Sequence, residues 1–295
     1  MIRLRACESD ADYELWLDVR RAVHPEDRTS TLAELHGYIK PGDLHLLAYL
    51  DGELAASGLY NRSDIVGNAF LAPRVLPDKR GNGVGSLLLA RLAEHAVRQG
   101  LMRAGSHVAG DDVRSVAFAQ RFGFAESRRD VQQVLFVDHP REPRSIDGVE
   151  FVSIAERPEL LRAAWPVAQQ GYEDMPIDGL DIHLDSWLLE EATLPAGSFA
   201  ALAGGEVVGF AGLCRWWDDD TKAEHGWTVV RRDWRGRGLA AALKEREIAW
   251  AAANGIRELI TWTQTGNENM RAVNERLGYV LRRFDISFHR DLPLP

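Results

Sequence analysis

The chain has 295 residues, of which 45% are hydrophobic and 27% are charged, as in an ordinary soluble globular protein. This length suits two domains of about 145 residues rather than one. The net charge of -9 argues against a nucleic-acid partner, because nucleic-acid phosphates require a basic surface.

Cysteine usage and hydropathy bear on the compartment. Cys7 and Cys214 stand in strand-like runs, which indicates small buried side chains in a reducing compartment rather than a disulfide or a metal site. No apolar run reaches the ~18 residues of a membrane span, and no charged-then-apolar leader is found. We therefore expect a cytoplasmic protein without a membrane partner, and its oligomeric state stays open.

In chain order, the first half of the sequence alternates predicted strands and helices. Asp51-Gly52 marks a hairpin turn between two of the strands. The predicted strands are Ile2–Arg5, Leu44–Leu50, Leu54–Tyr60, Ala69–Val75, Arg103–His107 and Val131–Val137, and the predicted helices are Ala11–Val23, Thr31–Tyr38, Gly83–Arg98 and Val113–Arg121.

The second half repeats this order after a polar stretch with two prolines, residues 139–148, which is typical of a linker. We therefore predict domains at 1–138 and 149–295. The predicted strands are Val149–Ser153, Ser198–Leu202, Val207–Cys214, His225–Val230, Leu259–Thr263 and Phe284–His289, and the predicted helices are Pro158–Gln169, Leu180–Glu191, Gly238–Ala253 and Asn269–Leu277.

A glycine-rich motif occurs once in each half, at one constant offset. Arg80-Gly81-Asn82-Gly83-Val84-Gly85 follows the strand that ends at Val75, and Arg235-Gly236-Arg237-Gly238-Leu239-Ala240 follows the strand that ends at Val230. Gly123-Phe124 and Gly278-Tyr279 share the same offset, which indicates a duplicated unit. A glycine turn between a strand and a helix exposes unpaired backbone amides at the positive end of the helix dipole, and it predicts an anion site.

The two commonest phosphate-binding fingerprints do not fit this motif. A dinucleotide fold has Gly-x-Gly-x-x-Gly after its first strand, and a P-loop ends in Gly-Lys-Ser/Thr. Neither copy has these features.

With these motifs and this element order, the chain resembles the GCN5-related N-acetyltransferase (GNAT) superfamily over nearly the whole of both halves. The resemblance implies an α/β fold of two tandem GNAT-like domains, each with a splayed mixed sheet. It further implies that acetyl-CoA binds with its pyrophosphate on the glycine turn and that the acetyl group passes directly to an amine. The implied cofactor-binding residues are Val75, Arg80, Gly81, Asn82, Gly83, Val84 and Gly85 in the first half, and Val230, Arg235, Gly236, Arg237, Gly238, Leu239, Ala240 and Asn267 in the second. No metal is implied.

The resemblance also implies a general base on the strand before the turn, often a glutamate. At that position the second half has Glu224, whereas the first half has Ala69, which cannot ionise. Strand alternation predicts that Glu224, Gly226, Thr228 and Val230 share one face. The C-terminal domain is therefore expected to be catalytic and the N-terminal domain degenerate, although a surface carboxylate is the other interpretation of Glu224.

The second half departs from the family at the position of its usual acid. That position holds Asn274, and its counterpart in the first half is Ala119, so a water molecule, His225 or Tyr172 has to protonate the leaving thiolate. His225 is otherwise a structural histidine on the opposite face of the strand. Asn267 either binds the pantetheine amides or caps a helix.

We expect the acceptor amine to lie over the segment between the first two helices of the second half. Tyr172 can stack on the amine and Glu173 and Asp174 can attract its charge, although a solvated loop is the other interpretation of this pattern. Trp216, Trp217 and Trp227 either line the acceptor pocket or belong to the core. The predicted function is acetyl transfer to the primary amine of a small molecule; the alternatives are an enzyme like mycothiol synthase and a non-catalytic acetyl-CoA sensor.

Overall fold

The computed structural model describes residues 1–138 and 142–294, and the chain divides into two compact units. Unit 1 comprises Met1–Arg129 and Asp285–Pro295, and unit 2 comprises Asp130–Phe284. Residues 139–141 of the predicted linker lie outside the described residues. Both units are mixed α/β, as predicted.

Unit 1 begins its first two helices with reciprocal side-chain caps. Ser9 and Asp12 form the capping box of the first helix, and Thr31 and Glu34 form that of the second, which explains why helices start at these points. The elements are β1 (Ile2–Ala6), α1 (Asp10–Val23), α2 (Leu32–Tyr38), β2 (Leu44–Leu50), β3 (Glu53–Arg62), β4 (Asn68–Val75), α3 (Val84–Arg98), β5 (Arg103–Ala109), α4 (Val113–Arg121) and β6 (Ala125–Phe136), whose second half belongs to unit 2.

Unit 2 follows the same plan with one helix more. The predicted helix Pro158–Gln169 is divided near Ala164, because Pro166 occupies the first turn of a new helix. The elements are β7 (Glu150–Ser153), α5 (Glu159–Ala163), α6 (Trp165–Glu173), α7 (Leu184–Glu190), β8 (Phe199–Ala203), β9 (Glu206–Arg215), β10 (Lys222–Val230), α8 (Leu239–Ala253), β11 (Glu258–Gln264), α9 (Glu268–Leu277) and β12 (Val280–Asp291), whose second half belongs to unit 1.

The last strand of each sheet comes from the other half of the sequence. In unit 1 the strand order is β1-β2-β3-β4-β5-β12, and residues 285–291 pair antiparallel with β5. In unit 2 the order is β7-β8-β9-β10-β11-β6, and residues 130–136 pair antiparallel with β11. The compact units therefore exchange their final strands, whereas the predicted boundaries at 138 and 149 follow the sequence repeat.

Helices cover both faces of each sheet. In unit 2, Trp187 and Phe210 lie in the cluster under α5–α7, and Leu243 and Leu259 lie in the clusters under α8 and α9. In unit 1, Trp16 of α1 packs on one face, and Leu88 of α3 comes so close to Gly58 on the other that a Cβ at Gly58 would lie 3.0 Å from it. We call the face under α5–α7 the acceptor face of unit 2 and the face under α1 and α2 the acceptor face of unit 1.

Candidate functional site

The two glycine turns are built alike. In each, a single turn of 3-10 helix (Pro77–Lys79 or Arg232–Trp234) follows the strand, and the glycine before the long helix adopts a left-handed conformation, with φ of +81° at Gly83 and +80° at Gly238. Neither glycine can cap its helix with a side chain. The first amides of α3 and α8 therefore depend on another acceptor, which is the requirement of an anion site.

The arginine that opens each turn fastens it to the preceding strand. Arg235 Nε donates to the carbonyl oxygen of Val230 at 3.0 Å, and Arg80 Nε donates to that of Val75 at 3.3 Å. Asp174 lies 2.6 Å from Arg235 Nη2, so the guanidinium of the second turn is already paired. These arginines hold the turn in shape as well as adding positive charge to it.

The turns leave room for a bulky phosphate group. A Cβ built at Gly81 or Gly236 would have no atom within 4 Å, so the backbone at both positions faces open space. Val84 and Leu239 are buried and offer a ligand only their amides. Asn82 donates to the carbonyl oxygens of Lys79 and Arg80, which leaves its role in the turn structural.

Arg237 leaves its charge beside the second turn. Its guanidinium lies 4.4 Å from the ring centre of Trp234 and donates to the carbonyl oxygen of Asp233 at 3.1 Å. The second turn therefore has a cation held next to its amides. These residues and the exposed backbone fit the diphosphate of acetyl-CoA.

Two parallel strands separate next to Glu224. The ladder between β10 and β11 contains only Lys222–Glu224 against Glu258–Ile260, and no pair follows Glu224. The strands of unit 1 separate in the same way after Phe70 and Gly105. The separation opens a slot between each strand and its parallel neighbour, on the side of the sheet where the glycine turn follows.

A β-bulge in β10 corrects the predicted alternation. The register against β9 shifts between His225 and Thr228, so one extra residue is accommodated there. As a result Glu224 lies on the acceptor face, whereas Val230 packs with the cluster under α8 on the opposite face. The prediction that Glu224, Thr228 and Val230 share a face is wrong, because the bulge interrupts the period of two.

The bulge also changes the counterpart of Glu224 in unit 1. Strand β4 pairs with β3 without a register shift. Counting residues back from the turn arginine and aligning the strands by their pairing therefore give different counterparts of Glu224. Ala69 is the match by counting, but the match by strand pairing is Phe70. Phe70 cannot ionise either, so unit 1 still lacks an ionisable counterpart of Glu224.

Glu224 is half-buried in a polar and aromatic setting. Its Oε2 accepts a hydrogen bond from Nε1 of Trp262 on β11 at 3.3 Å. Trp216 is buried in a small cluster with Val134 and Ile260, and it belongs to the core. A carboxylate at the point where two strands separate is well placed to receive a proton from a bound molecule.

Glu191 is a residue of the site that sequence reasoning missed. It directly follows α7, and its carboxylate accepts a hydrogen bond from the backbone amide of Trp227 in the bulge. A Cβ at Gly226 would lie 2.5 Å from Glu191 Oε2 and 2.8 Å from its carbonyl oxygen. The lack of a side chain at Gly226 therefore allows the end of α7 to approach the bulge. No local sequence motif indicates this contact.

An aromatic wall stands next to the bulge. Tyr172 of α6 stacks on Trp227 with ring centres 4.7 Å apart and planes 21° apart. Tyr172 and Glu173 also line a cavity of about 200 Å³ between the end of α6 and the segment before α7; its other lining residues are Trp165, Gln169, Met175, Ile177, Gly179, Leu180, Asp181 and Ile182. This cavity is large enough for a small organic molecule.

The two predicted acidic residues of the acceptor site are engaged by arginines. Arg232 Nη2 lies 2.9 Å from Glu173 and 2.7 Å from Asp174. The hydrogen bond from Arg232 and the nearby Arg235 lower the pKa of Asp174. Asp174 thus joins α6 to the glycine turn, and Glu173 is shared between Arg232 and the cavity.

The residues considered for the general acid and for pantetheine binding have structural partners. Asn274 is buried and donates to Gln133 Oε1 at 3.0 Å and to Thr263 Oγ1 at 3.2 Å, and Ala119 is buried in unit 1. Asn267 caps α9, since its Oδ1 accepts from the amide of Met270 at 3.3 Å. The capping role of Asn267 is thus directly visible.

His225 lies in a buried polar cluster on the face opposite Glu224. Its Nδ1 is 2.9 Å from Glu247 and its Nε2 contacts the hydroxyl of Tyr279. Burial, followed by the charge of Lys244, lowers the pKa of His225 well below the usual value. The ring is therefore neutral at pH 7 and ties β10 to α8 and to the residue before β12.

Two further searches concern metals and membranes. Within residues 1–138 and 142–294, no group of three His, Cys, Asp or Glu side chains could hold a metal ion. In the same part of the chain, no helix has both the length and the apolar character needed to cross a bilayer. Cys7 and Cys214 are buried and not disulfide-bonded.

Comparison with known proteins adds sequence and structural relatives. The sequence model of the acetyltransferase (GNAT) family matches residues 9–124 and 159–279. The chain is 28% identical to a mycothiol acetyltransferase of Streptomyces coelicolor, over 93% of this chain and 87% of that protein. It is also 28% identical to a mycothiol acetyltransferase of Streptomyces scabiei, over 98% and 93% respectively.

Solved structures share the fold at lower identity. A tandem GNAT protein from the clavulanic acid biosynthesis pathway aligns with a TM-score of 0.78 at 19% identity, covering 100% of both chains. A GCN5-related N-acetyltransferase from Sphaerobacter thermophilus aligns with a TM-score of 0.76 at 19% identity, covering 98% of this chain and 95% of that one.

Proposed function

Because this chain belongs to the acetyltransferase (GNAT) family and is an N-acetyltransferase, we propose that unit 2 transfers the acetyl group of acetyl-CoA to the primary amine of a small molecule, with Glu224 as the general base. The observation that carries this proposal is the position of Glu224. The carboxylate stands where β10 and β11 separate, on the strand that leads into an open glycine turn.

Acetyl-CoA supplies a thioester whose acetyl carbon can be attacked by an amine. In this proposal the amides at the start of α8 and the cation of Arg237 hold its diphosphate, and Gly236 and Gly238 let the backbone come close. The slot between β10 and β11 orients the pantetheine arm of acetyl-CoA towards the bulge. Family members use acetyl-CoA, which supports this assignment.

An alkylamine is mostly protonated at neutral pH, and only its neutral form attacks. Glu224 takes the proton from the acceptor amine, with its Oε2 oriented by the indole of Trp262. Tyr172 and Trp227 form the apolar wall against which the acceptor packs. Glu173 attracts the cationic amine at the mouth of the cavity.

The departing thiolate needs a proton, and Asn274 cannot give one. His225 is unsuited because it is buried on the opposite face, with Glu247 and Tyr279 as partners. Tyr172 lies on the acceptor face beside the bulge, so we assign this proton to Tyr172 or to solvent. Unit 1 has the glycine turn without an ionisable match for Glu224, and we propose that it acts as a binder or a scaffold.

Relatives of known activity favour one particular acceptor class as a second candidate. Mycothiol acetyltransferases match this chain nearly from end to end, so the amine precursor of mycothiol belongs in the first panel of acceptors. Asn274 would also suit a non-catalytic sensor, the rival from another class, but the N-acetyltransferase relatives favour the enzyme. The buried thiols of Cys7 and Cys214, which form no disulfide, support the expected cytoplasmic location.

The deciding experiment measures coenzyme A release from acetyl-CoA with a thiol reagent, with and without amines. An enzyme releases coenzyme A faster when a suitable amine is added, and Glu224→Gln abolishes the increase. A sensor binds acetyl-CoA and shows no release with any amine, including the mycothiol precursor. That outcome would refute the proposed function.

A further inference from the structure

Arg74 in unit 1 is a buried cation without a hydrogen-bonding partner among the described residues. It lies on β4, just before the glycine turn, and is only 8% exposed. Its Nε and Nη1 are buried without a hydrogen bond, and it forms no ion pair within the described part of the chain. Its guanidinium carbon lies 5.3 Å from the centre of the Trp16 ring.

A second unpaired polar group lies beside it. Ser57 on β3 is directly opposite Arg74 in the antiparallel ladder, so the two side chains share the acceptor face of unit 1. Ser57 is 0% exposed and its hydroxyl has no hydrogen-bond partner among the described residues. Three donors on two neighbouring strands therefore face the same buried region without an acceptor.

Neighbouring charges do not neutralise Arg74. Burial is the main cause that lowers the pKa of Arg74, to about 9, followed by the charge of Arg20, whereas the charge of Asp27 acts in the opposite direction. His45, also buried on this face, has a pKa lowered to about 4 and carries no charge at pH 7. The guanidinium is thus still charged at neutral pH, beside a neutral His45.

The fold does not require an arginine here. The matching position in unit 2 is Val229, which packs in the apolar core under α5–α7. Both residues directly precede the valine whose carbonyl oxygen holds the turn arginine. Leaving a buried charge unpaired is costly, so an arginine in place of a core valine implies an anion that none of the described residues supplies.

We propose that the acceptor face of unit 1 binds a small oxyanion, the carboxylate or phosphate of a ligand, through the Arg74 guanidinium and the Ser57 hydroxyl. Guanidinium is the group that best matches the two oxygens of such an anion. Trp16 forms one wall of this site. This site is separate from Glu224, and it stands or falls independently of the acetyltransferase proposal.

The test uses the intact protein, with sodium phosphate and sodium succinate as two separate probes. Each probe is titrated during thermal unfolding against sodium chloride of equal ionic strength. We expect at least one probe to raise the melting temperature, on the order of 5 °C at about 100 times its dissociation constant. A response to phosphate alone or to succinate alone identifies the kind of oxyanion.

Variants locate the response. Arg74→Met should abolish it, Ser57→Ala should weaken the affinity several-fold, and Arg91→Met, which removes an exposed arginine of α3, should leave it unchanged. Phosphate bound at the glycine turns raises the melting temperature of all variants alike, so only the difference in this rise between a variant and wild type reports on Arg74.

Two results would overturn the proposal: no stabilisation by either probe, or equal stabilisation of wild type and Arg74→Met. If Arg74→Met does not fold, Ser57→Ala decides. The arginine Nε–Hε resonances of wild type and Ser57→Ala then show whether one buried guanidinium responds to the probe and whether the hydroxyl affects its affinity; an unchanged affinity counts against the site.

Discussion

Nε1 of Trp262 donates a hydrogen bond to Oε2 of Glu224 across 3.3 Å, joining two strands that no longer pair with each other beyond this point. The indole therefore holds the carboxylate at the edge of the slot. Arg283 in turn lies 5.2 Å from the centre of the indole ring. A base oriented in this way can face a ligand between the strands.

Glu224→Gln should lower the rate of amine-dependent coenzyme A release by about 10²–10⁴-fold and flatten its rise with pH, because the amide cannot accept the proton. The affinity for acetyl-CoA, measured by calorimetry, should not change. Trp262→Phe keeps the carboxylate but loses its hydrogen bond, so a smaller loss is expected. An unchanged rate in Glu224→Gln would remove this residue from the mechanism.

Gly238→Glu should abolish acetyl-CoA binding in unit 2, because a carboxylate would occupy the place of the phosphates. Gly255→Glu is the matched control, since Gly255 has the same φ of +80° after the other end of α8. Calorimetry reads the number of sites. If one site is lost with Gly238→Glu and kept with Gly83→Glu, unit 1 is a scaffold; two sites in wild type make it a binder. Binding retained by unit 2 in Gly238→Glu would contradict the anion site.

Gly226→Ala should lower activity and stability together, because its Cβ would lie 2.8 Å from the backbone oxygen of Glu191. Overpacking of this kind typically costs about 1–3 kcal/mol. Gly37→Ala in α2 has no atom within 4 Å of the added carbon and should be neutral or slightly stabilising. Thermal unfolding and the release assay, run on both variants, show whether the approach of α7 to the bulge matters.

Tyr172→Ala should raise KM for the acceptor about 2- to 10-fold, with little effect on acetyl-CoA affinity, because the ring stacks on Trp227 beside the cavity. Tyr172→Phe retains the stack and separates packing from proton donation. If Tyr172→Phe lowers kcat while KM stays, the hydroxyl serves the leaving group. An unchanged KM in Tyr172→Ala would place the acceptor elsewhere.

Acid should weaken unit 1 through His45. Burial, followed by the charge of Arg74, lowers the pKa of His45 from 6.5 to about 4. Below pH 6.5 the unfolded chain therefore binds a proton at His45, whereas the folded unit binds it only near pH 4. The free energy of unfolding falls by about 3 kcal/mol as the pH drops across this window. Urea unfolding of His45→Phe should show a correspondingly flatter dependence of stability on pH.

The parts of the fold that depend on neighbouring residues were predictable from the sequence. The glycine turns were predicted correctly, because the left-handed glycines and the helix that follows are local features. Helix α9 was placed nearly to the residue by Asn267 and Gly278, one at each end. Local chemistry sufficed in these cases.

What the sequence did not reveal depends on contacts between distant residues. The bulge at Gly226 is where Glu191 contacts β10, and neither of these two segments indicates the contact by itself. The sequence predicts that Asp174 attracts an amine, but in the fold Arg232 and Arg235 form ion pairs with this carboxylate. Nor does the repeat indicate that the units exchange their last strands, since both arrangements use the same strand sequences.

That exchange has a consequence for biosynthesis. The strand that completes the sheet of unit 1, residues 285–291, leaves the ribosome only after the whole of unit 2. Until then β5 of unit 1 has an open edge, which invites pairing with other nascent chains. An N-terminal fragment cut at the repeat boundary lacks residues 285–291, so it cannot build the sheet edge that unit 1 has in the full chain.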